Sequence, residues 1–492
     1  MKVKINELMT SSGVQFGTSG VRGLVVDMTD KVCFAYVTAF LQYLCEKQLI
    51  LGNGKVGIAG DLRNSTPRIM NAAAAACQAM GFEAINYGHI PSPAIALFGS
   101  KEAMPTIMVT GSHIPDDRNG IKFNTPLGEI LKPDEEGIRA QDVNISNALF
   151  TTEGCLLKDT YLPTALLDAE YHYIQRFIDF LPENCLTEKR VGLYEHSSVA
   201  RGCLKIILEQ LGAEVTSLAR SEQFMPVDTE AIRPEDVRLA KQWSNEHHFD
   251  CIISTDGDGD RPLISDEKGN WLRGDVGGIL CAQYLQADTV ITPVSSNSAV
   301  EKSQLFRNVI RTRIGSPFVI QSMQQAQQDD KSQVVVGYEA NGGFLQQTEI
   351  SQNNKILSPL PTRDAVIVPI AIILLAQQQQ LAISELLNTL PQRYTYSDRL
   401  KEFAVEQSQQ LIAKLVMSDI NTNLANIKAM FPALTNPVGI DITDGVRITF
   451  DNDEVVHLRP SGNAPELRCY TEADSERRAA ELNEYCITII KG

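Results

Sequence analysis

The strongest constraint on the fold is a rhythm, in which short apolar runs alternate with helical segments and the alternation occurs three times along the chain. The first round predicts strands at 56–59, 84–87 and 106–109, an Ala-rich helix at 66–80 and a helix at 92–103. The second predicts strands at 190–194, 213–215 and 251–254 around helices at 200–211 and 234–247. The third predicts helices at 276–285 and 298–306 with strands at 289–292, 309–311 and 333–336. Alternating β and α segments fold as a mainly parallel sheet covered by helices, and ligands bind beyond the carboxyl ends of its strands. Recurrence of one order looks like duplication of a module.

The pattern changes toward the C-terminus, where 445–450, a turn at 451–453 and 454–458 read as an antiparallel hairpin. A chain of 492 residues is too long for one core, given about 100–200 residues per domain. With a polar, Gly/Pro-containing linker at 153–163, the expected divisions are 1–155, 156–264, 265–380 and 381–492. The longest apolar segment, 365–376, has 12 residues and contains Pro369, whereas a membrane helix needs about 20, so it reads as a buried core helix. Gln-rich 321–328 and 377–380 read as polar helix surface or linker.

A net charge of −16 argues against a general nucleic-acid or anionic-membrane surface, so an anionic ligand must be captured locally. The partner expected is a small molecule. Ten cysteines without a C-x-x-C pair indicate neither a zinc site nor a disulfide scaffold, and a reducing cytoplasm fits best. Residues 1–7 lack the apolar stretch of a signal peptide.

Several loops carry chemistry. After the apolar run Ile107-Met108-Val109 comes a Gly/Pro-punctuated loop containing Ser112, His113 and, further on, Lys122. Ser112 is a turn serine or a nucleophile; the G-x-S-x-G elbow of hydrolases is absent. His113 reads as a loop histidine or a base, and Lys122 as a solvated lysine or the cation of a phosphoryl-transfer site. Upstream, 16–23 holds three glycines, two hydroxyls and Arg22, which suits either a plain turn or an anion-binding loop.

Asp256, Asp258 and Asp260 alternate with glycines and are followed by Arg261. Three carboxylates at i, i+2 and i+4 can fold around one cation and otherwise repel one another. An EF-hand is excluded although Glu267 falls at its twelfth position, because Arg261 stands where the sharp turn needs glycine. Hard oxygen ligands beside an arginine favour Mg²⁺ next to a phosphate. In the Gly-rich loop 337–344, Glu339 and Asn341 can hydrogen-bond vicinal sugar hydroxyls, or the loop is a tight turn. Near the end, 459–468 offers Arg459, Ser461, Gly462, Asn463 and Arg468 as a nest for a phosphate dianion.

In the order of these loops the chain resembles the α-D-phosphohexomutases, the family of phosphoglucomutases and phosphomannomutases, over nearly its whole length. The resemblance implies an α/β fold of three similar α/β domains with mainly parallel mixed sheets and a smaller C-terminal α+β domain, around a central cleft. It implies that Ser112 is the phosphorylated serine and that Asp256, Asp258 and Asp260 hold Mg²⁺ against its phosphate, with Ser112 in the ligand set. Arg22, Lys122 and Arg261 fall where the family keeps basic residues in the cleft, and His113 joins them as a candidate for proton transfer. The resemblance likewise implies that Glu339 and Asn341 lie in the sugar-specificity loop, and Arg459, Ser461, Gly462, Asn463 and Arg468 in the loop that binds the substrate phosphate. The resemblance also implies a hexose 1,6-bisphosphate as intermediate and activator.

Six positions depart from the family pattern. Gly111 and Ile114 stand for Ala and Asn in the serine loop, Asn341 and Gly343 for Ser and His in the sugar loop, and Asn463 with Ala464 for residues of the phosphate loop. The form G-Y-E-A-N-G-G looks like a bacterial phosphomannomutase branch, which favours mannose phosphates over the alternatives of a phosphoglucomutase or dual-specificity enzyme. A metal-dependent sugar phosphatase and a non-catalytic sugar-phosphate binder are the rivals from other classes.

Overall fold

The structure, a computed structural model, describes residues 2–158, 161–416, 418–461 and 465–491. Its chain divides into two units, Met1–Asp288 with Gly315–Leu386, and Thr289–Ile314 with Leu387–Gly492.

In the first unit the N-terminal sheet has seven strands. Along the sheet lie Gln15–Phe16, Gly20–Leu24, Arg118–Thr125, Thr106–Val109, Lys55–Gly60 and Glu83–Asn86, with Gly128–Glu129 paired to Arg118–Thr125. Lys55–Gly60 is parallel to both Glu83–Asn86 and Thr106–Val109, as the βαβ pattern requires. The rest of the sheet is antiparallel, beginning with the pair Thr106–Val109 and Arg118–Thr125. Loop 110–117 accounts for this switch, since a parallel return needs a crossover of about a dozen residues or more. The Ser112 loop is therefore a hairpin connection that opens at the carboxyl end of a buried strand.

The same device recurs twice. Arg190–Tyr194 is parallel to Glu214–Leu218 and Cys251–Thr255, and the latter returns antiparallel as Pro262–Ile264. The acidic loop is that return. Val335–Tyr338, Phe344–Gln346 and Leu360–Asp364 run antiparallel side by side, and residues 339–343 connect the first two. All three chemistry-bearing loops are short hairpin connections held by ladders at both ends.

Helices Asp30–Glu46, Thr66–Ala79 and Ser92–Lys101 contribute much of the first core, in which Phe40 and Phe123 stack with ring centroids 4.6 Å apart. Thr29 caps the first of these by accepting from the Val32 N–H. The expected core helix is Ile367–Gln379, buried from Ile367 through Ala376; Pro369 lies in its first turn, where its missing N–H costs no helical bond. No helix among the described residues is long and apolar enough to cross a membrane.

In the second unit Thr289–Pro293 and Asn308–Thr312 are parallel. The helix expected at 298–306 is only Ala299–Lys302, and the chain turns left-handed at Gln304 (φ 54°) instead of continuing. The C-terminal sheet is wholly antiparallel in the order Tyr394–Lys401, Glu466–Ala473, Val455–Pro460, Val446–Phe450 and Pro437–Asp441. Helix Glu476–Lys491 packs on it through Leu482, Cys486 and Ile487.

Replacing Phe123, which is fully buried, by Ala removes the ring stacked on Phe40 beneath the strand that carries Lys122. The expected cost is about 3–5 kcal/mol, read as a lower urea midpoint for the first unit; an unchanged midpoint contradicts this packing.

Candidate active site

Ser112 emerges from its strand with a left-handed backbone (φ 56°) and is 1% exposed. Its N–H donates to Thr110 Oγ1 at 2.7 Å, a local turn contact of the kind expected for a loop serine. The hydroxyl has another use. Ser112 Oγ donates to Asp256 Oδ2 at 2.5 Å, a residue of the second module, and lies 3.3 Å from His113 Nδ1.

Asp256, Asp258 and Asp260 are buried together, and each offers a carboxylate oxygen within 4.8 Å of the others. Uncompensated, three such charges in a low-dielectric site repel strongly. Lys122 Nζ bridges Asp258 Oδ2 and Asp260 Oδ2 at 2.6 Å each. Ser92 Oγ donates to Asp258 Oδ2, and the N–H groups of Asp260 and Arg261 donate to Asp256 Oδ1 at 3.2 Å. Arg363 Nε reaches Asp260 Oδ2 at 3.1 Å, and its Nη1 reaches Glu339 Oε2 at 3.4 Å. Arg261 lies 3.8 Å from Asp260 and 4.0 Å from Asp256, close enough to attract without forming a hydrogen bond.

These contacts divide the cluster. Burial, with Asp258 and Asp260 beside it, holds the Asp256 carboxyl well above the usual carboxylate range. Burial acts the same way on Asp258 but is outweighed by Lys122, which draws that carboxyl down; for Asp260, Arg363 and Lys122 likewise overcome burial. Burial alone would lower the Lys122 ammonium, yet the two aspartates raise it. The His113 imidazole is pushed down to about 2 by burial and then by Arg261 and Arg22, so it is neutral at pH 7. Burial, Arg261 and Arg363 push Arg22 down to about 10, which leaves it cationic.

Two buried oxygens, Asp258 Oδ1 and Asp260 Oδ1, make no hydrogen bond. Buried polar atoms are almost always satisfied, so a pair of them in a three-carboxylate cluster fits a bound cation. The donor set is all oxygen, as a hard divalent ion prefers.

Of the residues picked out by sequence, Ser112, His113, Lys122, Asp256, Asp258, Asp260 and Arg261 converge, with Glu339 joined through Arg363 and Arg22 acting on His113 through its charge. The glycine-rich stretch 16–23 is a β-hairpin, Gln15–Phe16 against Gly20–Leu24, with Arg22 on its second strand. Asn341 Oδ1 accepts from the Gly343 N–H at 2.9 Å and its carbonyl from Thr229 Oγ1 at 2.6 Å, so its side-chain oxygen closes the loop as a tight turn. Glu267 binds Ser384 instead of the acidic loop.

In the second unit Arg459 and Arg468 are direct cross-strand neighbours, and Arg459 Nε pairs with Asp444 at 2.8 Å. The Ser461 N–H donates to the Glu466 carbonyl at 2.9 Å. Gly462, Asn463 and Ala464 lie outside the described residues. Arg399 stands directly opposite Arg468 on its other side, completing a row of three arginines.

Sequence reasoning missed Arg363, Ser92 and Arg399, each a single residue with no local motif. One signal pointed to Arg363. A Cβ at Gly343 would lie 2.5 Å from Arg363 Cδ, so the departure from His at that position makes room for this arginine.

Models of the phosphoglucomutase/phosphomannomutase family match the chain domain by domain: α/β/α domain I at 13–147, domain II at 172–269, domain III at 273–394 and the C-terminal domain at 401–488. The chain belongs to this family. It is thus a phosphohexomutase, an intramolecular phosphotransferase of the isomerase class. It is 44% identical to a phosphomannomutase of Salmonella muenchen, over 99% of this chain and 97% of that one. It is also 40% identical to a phosphomannomutase of Sinorhizobium fredii, over 96% and 97%. Among solved structures, a phosphoglucomutase/phosphomannomutase family protein from Burkholderia thailandensis shares the fold, with a TM-score of 0.72 at 19% identity over 96% of each chain.

Gly343→Ala places a methyl group against the Arg363 stem. The expected outcome is a loss of about 1–3 kcal/mol of stability together with lower kcat/KM; wild-type melting and kinetics contradict the close approach.

Proposed function

We propose that the protein is a phosphomannomutase that interconverts mannose 6-phosphate and mannose 1-phosphate through a phosphorylated Ser112 and a hexose 1,6-bisphosphate. The observation that carries this is the Ser112 hydroxyl, buried and 2.5 Å from Asp256 in the acidic cluster. Identities of 44% and 40% to phosphomannomutases support mannose as the sugar. Domain boundaries after 155, 264 and 380 and a cytoplasmic location belong to the same reading.

Phosphoserine 112 donates its phosphoryl group to a sugar hydroxyl: the P–Oγ bond breaks, a P–O bond to the sugar forms, and the hydroxyl proton ends on Oγ. The bisphosphate then returns its other phosphoryl group to Ser112 by the reverse exchange. His113, 3.3 Å from Oγ, Lys122 and Arg22 are the candidates for moving the proton, and the burial and arginines that push the His113 imidazole down to about 2 make it a weak base. Lys122, Arg261, Arg22 and the unforeseen Arg363 supply positive charge where the transferring group becomes negative. Asp256, Asp258, Asp260 and Ser112 would hold Mg²⁺, which when bound supplies Lewis-acid charge to the phosphoryl oxygens. Glu339 and Asn341 would contact the sugar, and Arg459, Ser461, Gly462, Asn463 and Arg468 its non-reacting phosphate.

A coupled assay of mannose, glucose and glucosamine 1-phosphates, with Mg²⁺ and bisphosphate, tests the reading. Mannose 1-phosphate should give the highest kcat/KM, and Ser112→Ala should fall to background. Better turnover of glucose 1-phosphate makes the enzyme a phosphoglucomutase, and phosphate release without isomerisation makes it a phosphatase.

Chelation should abolish turnover, and added Mg²⁺ should restore it. Asp258→Asn should lower kcat about 10²–10³-fold, whereas full activity in excess chelator refutes the metal role.

A further inference from the structure

Arg63 was not singled out by the sequence and touches no carboxylate of the acidic cluster. It is nevertheless 1% exposed, beneath the serine loop, and all five of its N–H donors are used. Nη2 donates to the carbonyls of Ser112 at 2.8 Å and Ile114 at 2.7 Å. Nη1 donates to those of Pro115 at 2.8 Å and Arg118 at 3.1 Å. Nε donates to Asp61 Oδ2 at 3.1 Å, and Asp61 in turn accepts from Thr110 Oγ1 at 2.7 Å, next to the loop. One guanidinium thus gathers three carbonyls of the loop and one from the first residue of the strand after it, in a loop whose Ser112 has a left-handed backbone that non-glycine residues disfavour.

One face of that guanidinium is covered by Phe224, from the irregular segment between Glu214–Leu218 and Pro234–His247 of the second module, with Cζ 3.9 Å from the ring centroid. Phe224 also abuts the acidic loop: a Cβ at Gly257 would lie 3.0 Å from two of its ring carbons and 2.8 Å from the Ser112 carbonyl. Phe224 is fixed by its neighbour Met225, whose N–H donates to Ser197 Oγ at 2.6 Å. A Cβ at Gly111 would lie 2.7 Å from Arg63 Cζ, so Gly111 in place of the family's Ala leaves room for this guanidinium.

We infer that Arg63 and Phe224 are positioning residues, a clamp that holds the Ser112 loop of the first module against the acidic loop of the second in the geometry needed for phosphoryl transfer. The inference rests on the reading of Ser112 as phosphoryl carrier. Arg63 donates to backbone carbonyls and touches no reacting atom, so its loss should misplace Oγ while leaving the sugar and distal-phosphate contacts intact. Lysine cannot replace it, because three donors on one point cannot span four carbonyls and Asp61.

Arg63→Lys, Phe224→Leu and Ser112→Ala are compared in the full chain by melting temperature, by kcat and KM for hexose 1-phosphate, and by phosphoserine content after bisphosphate priming. Arg63→Lys is expected to lower kcat about 10²-fold with KM nearly unchanged and priming slowed, since a displacement of about 1 Å costs this much. Phe224→Leu should act in the same direction by several-fold. A folded Arg63→Lys enzyme with wild-type kcat, or a lowered melting temperature without loss of kcat, overturns the clamp. If Arg63→Lys does not fold, Phe224→Leu decides: wild-type kcat overturns the clamp and a selective fall in kcat supports it. Turnover by Ser112→Ala overturns the phosphoserine reading itself; its inactivity, beside normal clamp variants, overturns only the inference.

Discussion

Three carboxylates buried within one short loop create a debt of charge that the rest of the first unit is arranged to meet. Each comes from the second module, while Lys122 comes from a central strand of the first and Arg363 from a strand of the third. Removing ions from water is costly and is offset only by close opposite charges and hydrogen bonds. The three modules therefore share one electrostatic requirement, and the same contacts that make burial tolerable bring Ser112, the cations and Glu339 together. Two carboxylate oxygens remain unpaired, and that residue of unmet charge is what a divalent ion would complete.

A common piece of architecture makes this convergence accurate. In each module the strand that carries the chemistry returns antiparallel, so its loop is short and tied at both ends. A helix crossover would leave the loop tied to a strand at one end only. Preorganisation of this kind allows charged groups to act without reorienting during transfer.

Much of the fold was legible because it is written in local periodicity. The helix Pro234–His247 and strand Arg190–Tyr194 coincide with their expected limits, since both are set by apolar spacing and by flanking Pro or charged residues. The short helix Ala299–Lys302 and the antiparallel return after Thr106–Val109 were not legible, because they depend on one left-handed residue and on a loop length whose consequence appears only in the sheet. At the site, the three aspartates were readable as a motif, and Ser112 gained meaning from the loops around it. Arg363, Ser92, Arg63 and Phe224 were invisible because each acts through contacts far away in sequence. Gly111 and Gly343 looked like departures from the family pattern, and each makes room for an arginine that only folding brings beside it.

By itself the sequence determined the βαβ modules, the change to an antiparallel C-terminal sheet, the family to which the chain belongs and the serine and three aspartates that meet in its acidic cluster. These follow from periodicity and from residue types packed into single loops. Only the tertiary structure decided that Ser112 donates to Asp256, that Lys122 is shared by two aspartates, and that Arg363 joins the acidic loop to Glu339. Electrostatic interactions at 2.5–3.4 Å depend on where separate modules place their charges, and no local spacing along the chain encodes that distance.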